Sequence, residues 1–433
     1  MLPLLIGGRR IAARSDTGLR VEEPATLAPL AEIADCGAED VALACGAAGA
    51  AAAQWRESNP SERAEMLARI TARIAERAEP LAQTLTRESG RPLCETREEI
   101  AQAAARIGAA TAQPAPGVVA VISAFDRPLG GFIEAAGAAI GAGAAIVCKP
   151  PPETPLSTML LADALLDLPP GLINVITGGA GAAVALAAAA GVDEVVCAGS
   201  RAEREMLAAA ARRGVRPLEP DAAIALVVGE GADLDLAAAE AAWTMLRGAG
   251  QATTPRARLY VQRAVAAPFA DRLHMYVAFL EVGDPSKPDT DLGPLISHAA
   301  ARRAEEQVAR AAKEGARLKL GGRAFRPWGL PGHFFQPTIL TDVPRGSQVA
   351  LGEIRAPVLS LMPFDGVADL CAELLARPCA DSAIFAGESP AAELYSALRP
   401  VIRGRLRRIV TRDPHGFPYR ERSASPPARA ERS

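Results

Sequence analysis

The sequence predicts an α/β protein in which a doubly wound parallel sheet is followed by a smaller α/β region. Three observations carry this. Four strand–turn–helix units follow one another within about 100 residues from Gly117, the signature of a parallel sheet with crossover helices. Apolar residues make up 49% of the 433-residue chain against 22% charged, enough for a sizeable core and too apolar for disorder. Aromatics are only 4%, so the core must be built from Ala, Val, Leu and Ile with backbones packed close. The length suits two or three domains.

The elements follow in order. Residues 38–112 read as helical: an Ala-rich helix ends near Trp55, Asn59-Pro60-Ser61 caps the next, and Leu67, Ile70, Ile74 and Leu81 recur at helical spacing. Val118-Val119-Ala120-Val121-Ile122 is a buried strand, followed by a Pro-containing turn and an Ala/Gly helix. Ala145-Ile146-Val147-Cys148, Ile173-Asn174-Val175-Ile176 and Val195-Val196-Cys197 are the next three strands, each leading through a turn into a helix. A second region opens with a helix over residues 236–246 and the strand Arg258-Leu259-Tyr260-Val261. The domains expected are residues 1–232, dinucleotide-binding in type; 233–403, α/β; and 404–433, a basic, disordered tail rich in Ser, Pro and Arg.

Composition excludes several function classes. Lys and Arg number 47 and Asp and Glu 50, a net charge of −3, and this balance argues against nucleic acid or an anionic membrane as partner. Seven scattered cysteines form no C-x-x-C and have no His cluster beside them, so neither zinc nor a disulfide framework is indicated, and no metal site is expected. The start of the chain has no signal-peptide pattern and no segment reads as a membrane span, so the expected location is the cytoplasm. Only Lys149, Lys287, Lys313 and Lys319 are lysines, which makes each worth attention.

Several segments, in collinear order over roughly residues 20–400, resemble the aldehyde dehydrogenase superfamily. Glu23-Pro24-Ala25-Thr26 is similar to its N-P-A-T opening, and residues 117–128 to its G-V-V-x-V-I-x-x-W-N-x-P strand and turn. Lys149-Pro150 resembles the K-P-S-E turn, and residues 169–175 the L-P-P-G-V-x-N-V segment. Gly191-Val192-Asp193 with Gly199-Ser200 resembles G-V-D-x-V-x-F-T-G-S, and Leu218-Glu219 the start of L-E-L-G-G-K. Gly250-Gln251 resembles G-Q-x-C, residues 290–296 T-D-x-G-P-L-I, residues 336–340 x-P-T-x-L, and Glu353-Ile354 with Pro357-Val358 E-I-F-G-P-V. Any one of these is weak; their order and spacing carry the resemblance.

The resemblance implies a chemistry with four requirements. A Cys thiolate adds to the aldehyde, an Asn side chain and a backbone N–H stabilise the oxyanion, NAD or NADP takes the hydride, and a Glu activates water. Here the chain departs from the family. The nucleophile position is Thr253, whose hydroxyl stays protonated near neutral pH unless a base is in reach. The oxyanion position is Asp126, and an ionised carboxylate repels the charge an amide would hold. Arg355 stands for the Phe beside the nicotinamide and Pro152 for the Glu of K-P-S-E. On the cofactor side the resemblance retains Lys149, Gly199, Ser200 and Glu353, with Glu219 as the remnant base. The leading expectation is a degenerate member without thiol-dependent oxidation that binds NAD or NADP in a weakened way, or is the partner of an active enzyme. The rivals are an active enzyme using Thr253 or a displaced residue with Glu219 as base, and an interaction module that binds no nucleotide.

Assembly is expected to differ too. Between Ile100 and Gly117 the chain is too short for the hairpin the family inserts there, and nothing past Tyr419 matches the family's C-terminal strand. Arg399, Arg403, Arg405, Arg407 and Arg408 place charge where the last strand should be. The expectation is a monomer or a hetero-complex, not a strand-exchanged dimer.

Overall fold

The computed structural model describes residues 1–107, 117–218, 223–252, 256–351, 354–379, 381–401 and 406–409. The chain opens with the strands β1 (Leu4–Ile6) and β2 (Arg9–Ile11), then β3 (Gly18–Glu22) and β4 (Pro29–Ala34). Four helices follow: α1 (Ala38–Trp55), α2 (Pro60–Glu76), α3 (Ala78–Ser89) and α4 (Leu93–Ile107). Alternation begins with β5 (Val118–Ile122), α5 (Pro128–Gly141), β6 (Ala145–Lys149), α6 (Leu156–Asp163) and β7 (Ile173–Val175). It continues with α7 (Ala180–Ala188), β8 (Glu194–Cys197), α8 (Arg201–Ala210) and β9 (Val215–Pro217).

The second half comprises β10 (Ala223–Val228), α9 (Leu234–Leu246), β11 (Arg256–Gln262), α10 (Arg263–Ala278) and α11 (His298–Lys313). After these come β12 (Arg317–Leu320), β13 (Thr338–Thr341), α12 (Gln348–Leu351) and β14 (Val358–Phe364). The last elements are α13 (Val367–Ala376), β15 (Asp381–Phe385), α14 (Glu388–Leu398) and β16 (Leu406–Ile409).

The strands form two seven-stranded sheets and one small ribbon. The first sheet runs β2-β1-β7-β6-β5-β8-β9, parallel from β7 to β9, with β1 antiparallel to β7. Its hairpin β1–β2 turns at Gly7-Gly8, both at positive φ (61° and 74°), the backbone a two-residue hairpin needs. The second sheet runs β12-β13-β14-β11-β10-β15-β16, parallel except for β12. β3 and β4 pair antiparallel with each other. The doubly wound architecture expected from the sequence is present.

The low aromatic content shows in the packing. β5 and β6 are buried throughout and are covered by Ala-rich α1, α5 and α7. At Gly137 of α5 an added Cβ would lie 2.5 Å from Ile107 Cγ1, so α4 and α5 meet at a distance only glycine permits. One apolar cluster surrounds the first sheet, and two others lie on the faces of the second.

β10 pairs with β11 and β15, so the change of sheet falls between β9 and β10, ahead of the expected domain boundary at residue 232. Part of the Arg-rich run after residue 404 is paired. Leu406–Ile409 forms β16, with Arg407 and Arg408 in register with Ala383 and Ile384 of β15. Backbone hydrogen bonding decides this, because an edge strand tolerates charged side chains that a central strand would not. Among the described residues, no helix is long and apolar enough to cross a membrane.

Candidate functional site

Sheet order locates the crevice. From β5 the chain runs outward to β6 and β7, then crosses to β8 and β9 on the other side. The reversal leaves a gap beyond the carboxyl ends of β5 and β8, where open parallel sheets place their ligands. The turn 123–127, Lys149 at the end of β6, Gly178-Gly179 after β7 and Gly199-Ser200 after β8 all lie at these ends.

The turn after β5 carries Asp126, which is half-buried. Its carbonyl accepts a 2.9 Å hydrogen bond from Arg91 Nη1. Arg91 itself is buried between two carboxylates of α4: Nη1 bonds Glu99, and Nε lies 3.5 Å from Glu95. Burial pulls the guanidinium's pKa down, and Glu99 and Glu95 more than offset it, so Arg91 is held charged. Glu99 also accepts from Gly130 N at 2.8 Å, at the first turn of α5. The backbone around Asp126 is thus fixed from behind by a charged network, and Asp126 stands at the sequence position the resemblance gives to an amide.

The same network reaches the loop that leads to residue 253. Glu95 accepts from Gly248 N at 2.9 Å. Gly248, Ala249 and Gly250 are all left-handed (φ 57°, 55° and 68°), and a Cβ on Gly250 would lie 2.1 Å from Ala356 O. Gln251, buried, donates through Nε2 to Gly248 O at 3.1 Å, and its Oε1 accepts from Ile296 N at 2.9 Å. Arg91 and Glu95 therefore tie the Asp126 turn to the Gly250-Gln251 loop across the two sheets. Thr253, Glu219 and Glu353 lie outside the described residues. Arg355 is half-buried beside buried Ala356.

On the dinucleotide side, Lys149 is 3% exposed and its Nζ donates to Gly178 O at 2.7 Å. Burial lowers its pKa, opposed first by Glu153. Asp35 accepts from Gly179 N at 2.9 Å. Pro152 is half-buried in the turn after Lys149. Beyond β8, Gly199 N donates to Cys197 Sγ at 3.2 Å, and Ser200 caps α8 in a capping box with Glu203. Arg204 Nη1 donates back to Gly199 O at 2.6 Å. Of the residues singled out in the sequence, Lys149, Gly199, Ser200 and Asp126 lie at one end of the sheet. Sequence analysis missed Arg91, Glu95, Glu99 and Glu203; of these only Glu203 was signalled locally, by Ser-x-x-Glu at the start of a helix.

All seven cysteines are free. Burial pushes Cys148 up to about 12 and Cys36, Cys45 and Cys197 up to about 11, and raises Cys371 and Cys379 as well. A thiol so shifted is a poor nucleophile at neutral pH. Among the described residues, no group of three or more His, Cys, Asp and Glu could hold a metal ion. A separate cleft of about 360 Å³ beyond β14 is lined by Arg263, Asp342, Arg345, Asp365 and Asp369. Its arginines are already paired, Arg263 with Asp365 and Arg345 with Asp369, each at 2.6 Å.

Comparison with known proteins identifies the family and the fold. The model of the aldehyde dehydrogenase family matches residues 11–114 and 105–389. The NADP-type succinate-semialdehyde dehydrogenase GabD of Escherichia coli is 33% identical over 397 residues, covering 85% of this chain and 82% of the relative. Glutarate-semialdehyde dehydrogenase of Pseudomonas aeruginosa is 32% identical over 395 residues, covering 85% and 81%. Among solved structures, a variant of aldehyde dehydrogenase C from Pseudomonas syringae, in complex with NAD+ and octanal, superposes with a TM-score of 0.86. Its identity is 27%, over 94% of this chain and 88% of that one. Lactaldehyde dehydrogenase from Escherichia coli gives 0.85 at 28% identity, over 94% and 90%.

Proposed function

Because the chain belongs to the aldehyde dehydrogenase family, we propose that it is a dinucleotide-binding member without thiol-dependent aldehyde oxidation. One observation carries the reading: Gln251 is anchored to Gly248 and Ile296, and two residues further along the sequence the position the family gives to its nucleophile is Thr253. A Thr hydroxyl needs a general base to attack a carbonyl, and it makes a hemiacetal where the family needs a thiohemiacetal. Asp126 adds a second obstacle, since an ionised carboxylate in the oxyanion position opposes the charge that develops there. Burial holds the thiols of Cys36, Cys45, Cys148 and Cys197 well above the range of a reactive thiolate.

The residues that would hold a nicotinamide dinucleotide fit it in part. Lys149 supplies a buried ammonium at the end of β6, and the α8 amino terminus supplies backbone N–H groups, while Pro152 and Arg355 remove or crowd other contacts. A bound dinucleotide would supply a hydride acceptor. What this chain's residues contribute is binding and orientation, without the covalent adduct from which the hydride leaves. The protein then acts as a nucleotide-bound partner of another protein and not as a catalyst. NAD(P)H formation with succinate semialdehyde, glutarate semialdehyde and simple alkanals is expected to stay at the enzyme-free rate. A robust rate that disappears in Thr253→Ala would overturn the proposal.

A further inference from the structure

The crevice beyond β5 and β8 holds two groups suited to an anion, and a side chain of the protein already serves one of them. Lys149 is 3% exposed, and Gly178 O takes one of its three ammonium protons. Among the described residues no carboxylate lies within ion-pair distance of it. A buried ammonium without a counter-ion is costly, and it marks a place where an anion or a cluster of hydroxyls is wanted. Glu153, Glu203 and Asp35 act on Lys149 only at longer range.

The second group is the amino end of α8, where backbone N–H groups and the helix dipole favour negative charge. Here Glu203 Oε2 accepts from Ser200 N at 2.7 Å and from Ser200 Oγ at 2.8 Å, and Ser200 Oγ accepts from Glu203 N at 3.3 Å. Arg204 closes the turn from the other side through Gly199 O. A Cβ on Gly199 would come within 2.7 Å of Glu203 Oε2, so the carboxylate lies directly over the turn.

Resting on the reading of this crevice as a dinucleotide site, we infer that Glu203 is an internal stand-in for the dinucleotide phosphates. A ligand must displace it to reach the α8 amides. Carboxylate and phosphate compete for the same donors, and until Glu203 swings away their charges repel. The turn is therefore self-closed in the free protein, and residue 203 sets the affinity for nucleotide.

The test is calorimetric titration of the full-length protein and two variants with NAD and with NADP at fixed ionic strength. Glu203→Gln keeps an acceptor for Ser200 N–H and removes the charge; Glu203→Ala removes both. The dissociation constant should fall from wild type to Glu203→Gln to Glu203→Ala, with the last at least tenfold tighter than wild type. This gain should accompany a lower melting temperature of the free Glu203→Ala protein, which has lost its cap. Adding Lys149→Ala to Glu203→Ala should cancel the gain. Equal or weaker affinity in Glu203→Ala overturns the inference, because a cap with only a structural role would give that result. So does an undiminished gain without Lys149. Failure of all three proteins to bind also overturns it, since charge at residue 203 would not be what excludes nucleotide; the absence of thiol chemistry is tested separately, by aldehyde oxidation.

Discussion

Replacing Arg91 by Met should expose how strongly the two halves of the site depend on one buried cation. Arg91 is 11% exposed, and its two carboxylate partners, Glu95 and Glu99, are 4% and 3% exposed. Met fills much of the space and removes the charge. Glu99 would keep Gly130 N and Glu95 would keep Gly248 N, so neither carboxylate loses every donor. Each would nevertheless be left as a buried anion without a cation, and breaking such a pair costs about 3–5 kcal/mol. The retained backbone bonds place this case near the lower end, at about 3 kcal/mol. Urea unfolding of wild type and Arg91→Met at pH 7.5 should show a deficit of about 3 kcal/mol. Adding Glu99→Gln should recover about 1–2 kcal/mol, by neutralising one stranded charge. A deficit below about 1 kcal/mol would refute the argument that a charged network joins the Asp126 turn to the Gly250 loop.

Three further outcomes follow from the same structure. Glu88, fully buried while accepting from Ser157 N at 3.0 Å, has its pKa pushed up to about 8, chiefly by burial. Its contribution to stability should be complete below its unfolded value and be lost as pH rises towards 8, and Glu88→Gln should flatten that part of the stability–pH curve. Gly250→Ala puts a Cβ 2.1 Å from Ala356 O at a φ of 68°, so thermal unfolding should show a loss of more than about 2 kcal/mol; a neutral variant would mean that the loop is not held as described. Light scattering on the purified protein should find a monomer, or a complex with a different protein, and a stable dimer joined by exchanged C-terminal strands would refute this.

The sequence disclosed the parts of the fold that local pattern determines. β5 to β8 are short apolar runs between turn residues, and Asn59-Pro60 with Glu62 announces the start of α2, where the capping box forms. β1 to β4 went unread because three- to six-residue strands carry too little alternation to register, even though Leu4, Leu5 and Ile6 are all buried. β10 went unread as a strand, and its partner β15 begins only at Asp381, far along the chain, where no local feature names the pairing. β16 was hidden by its arginines, since the apolar alternation that identifies a strand is not required at an edge. The site divides in the same way. Asp126, Lys149 and Ser200 were singled out through the resemblance of the turns that carry them to family motifs, and each of those turns follows a strand. Arg91, Glu95 and Glu99 matter only because α4 packs against α5 and reaches the Gly248 turn, contacts that arise in three dimensions.

The central claim is that the family scaffold is retained and its covalent chemistry is not. Its most direct test is the initial rate of aldehyde-dependent NAD(P)H formation by wild type, Thr253→Cys and the Thr253→Cys/Asp126→Asn double variant, under conditions where nucleotide binding has been verified. We expect wild type at background, the single variant little above it because Asp126 still opposes the oxyanion, and a clear rise only in the double variant. A wild-type rate well above background that Thr253→Ala abolishes would contradict the claim outright, and high activity in Thr253→Cys alone would contradict the role given to Asp126.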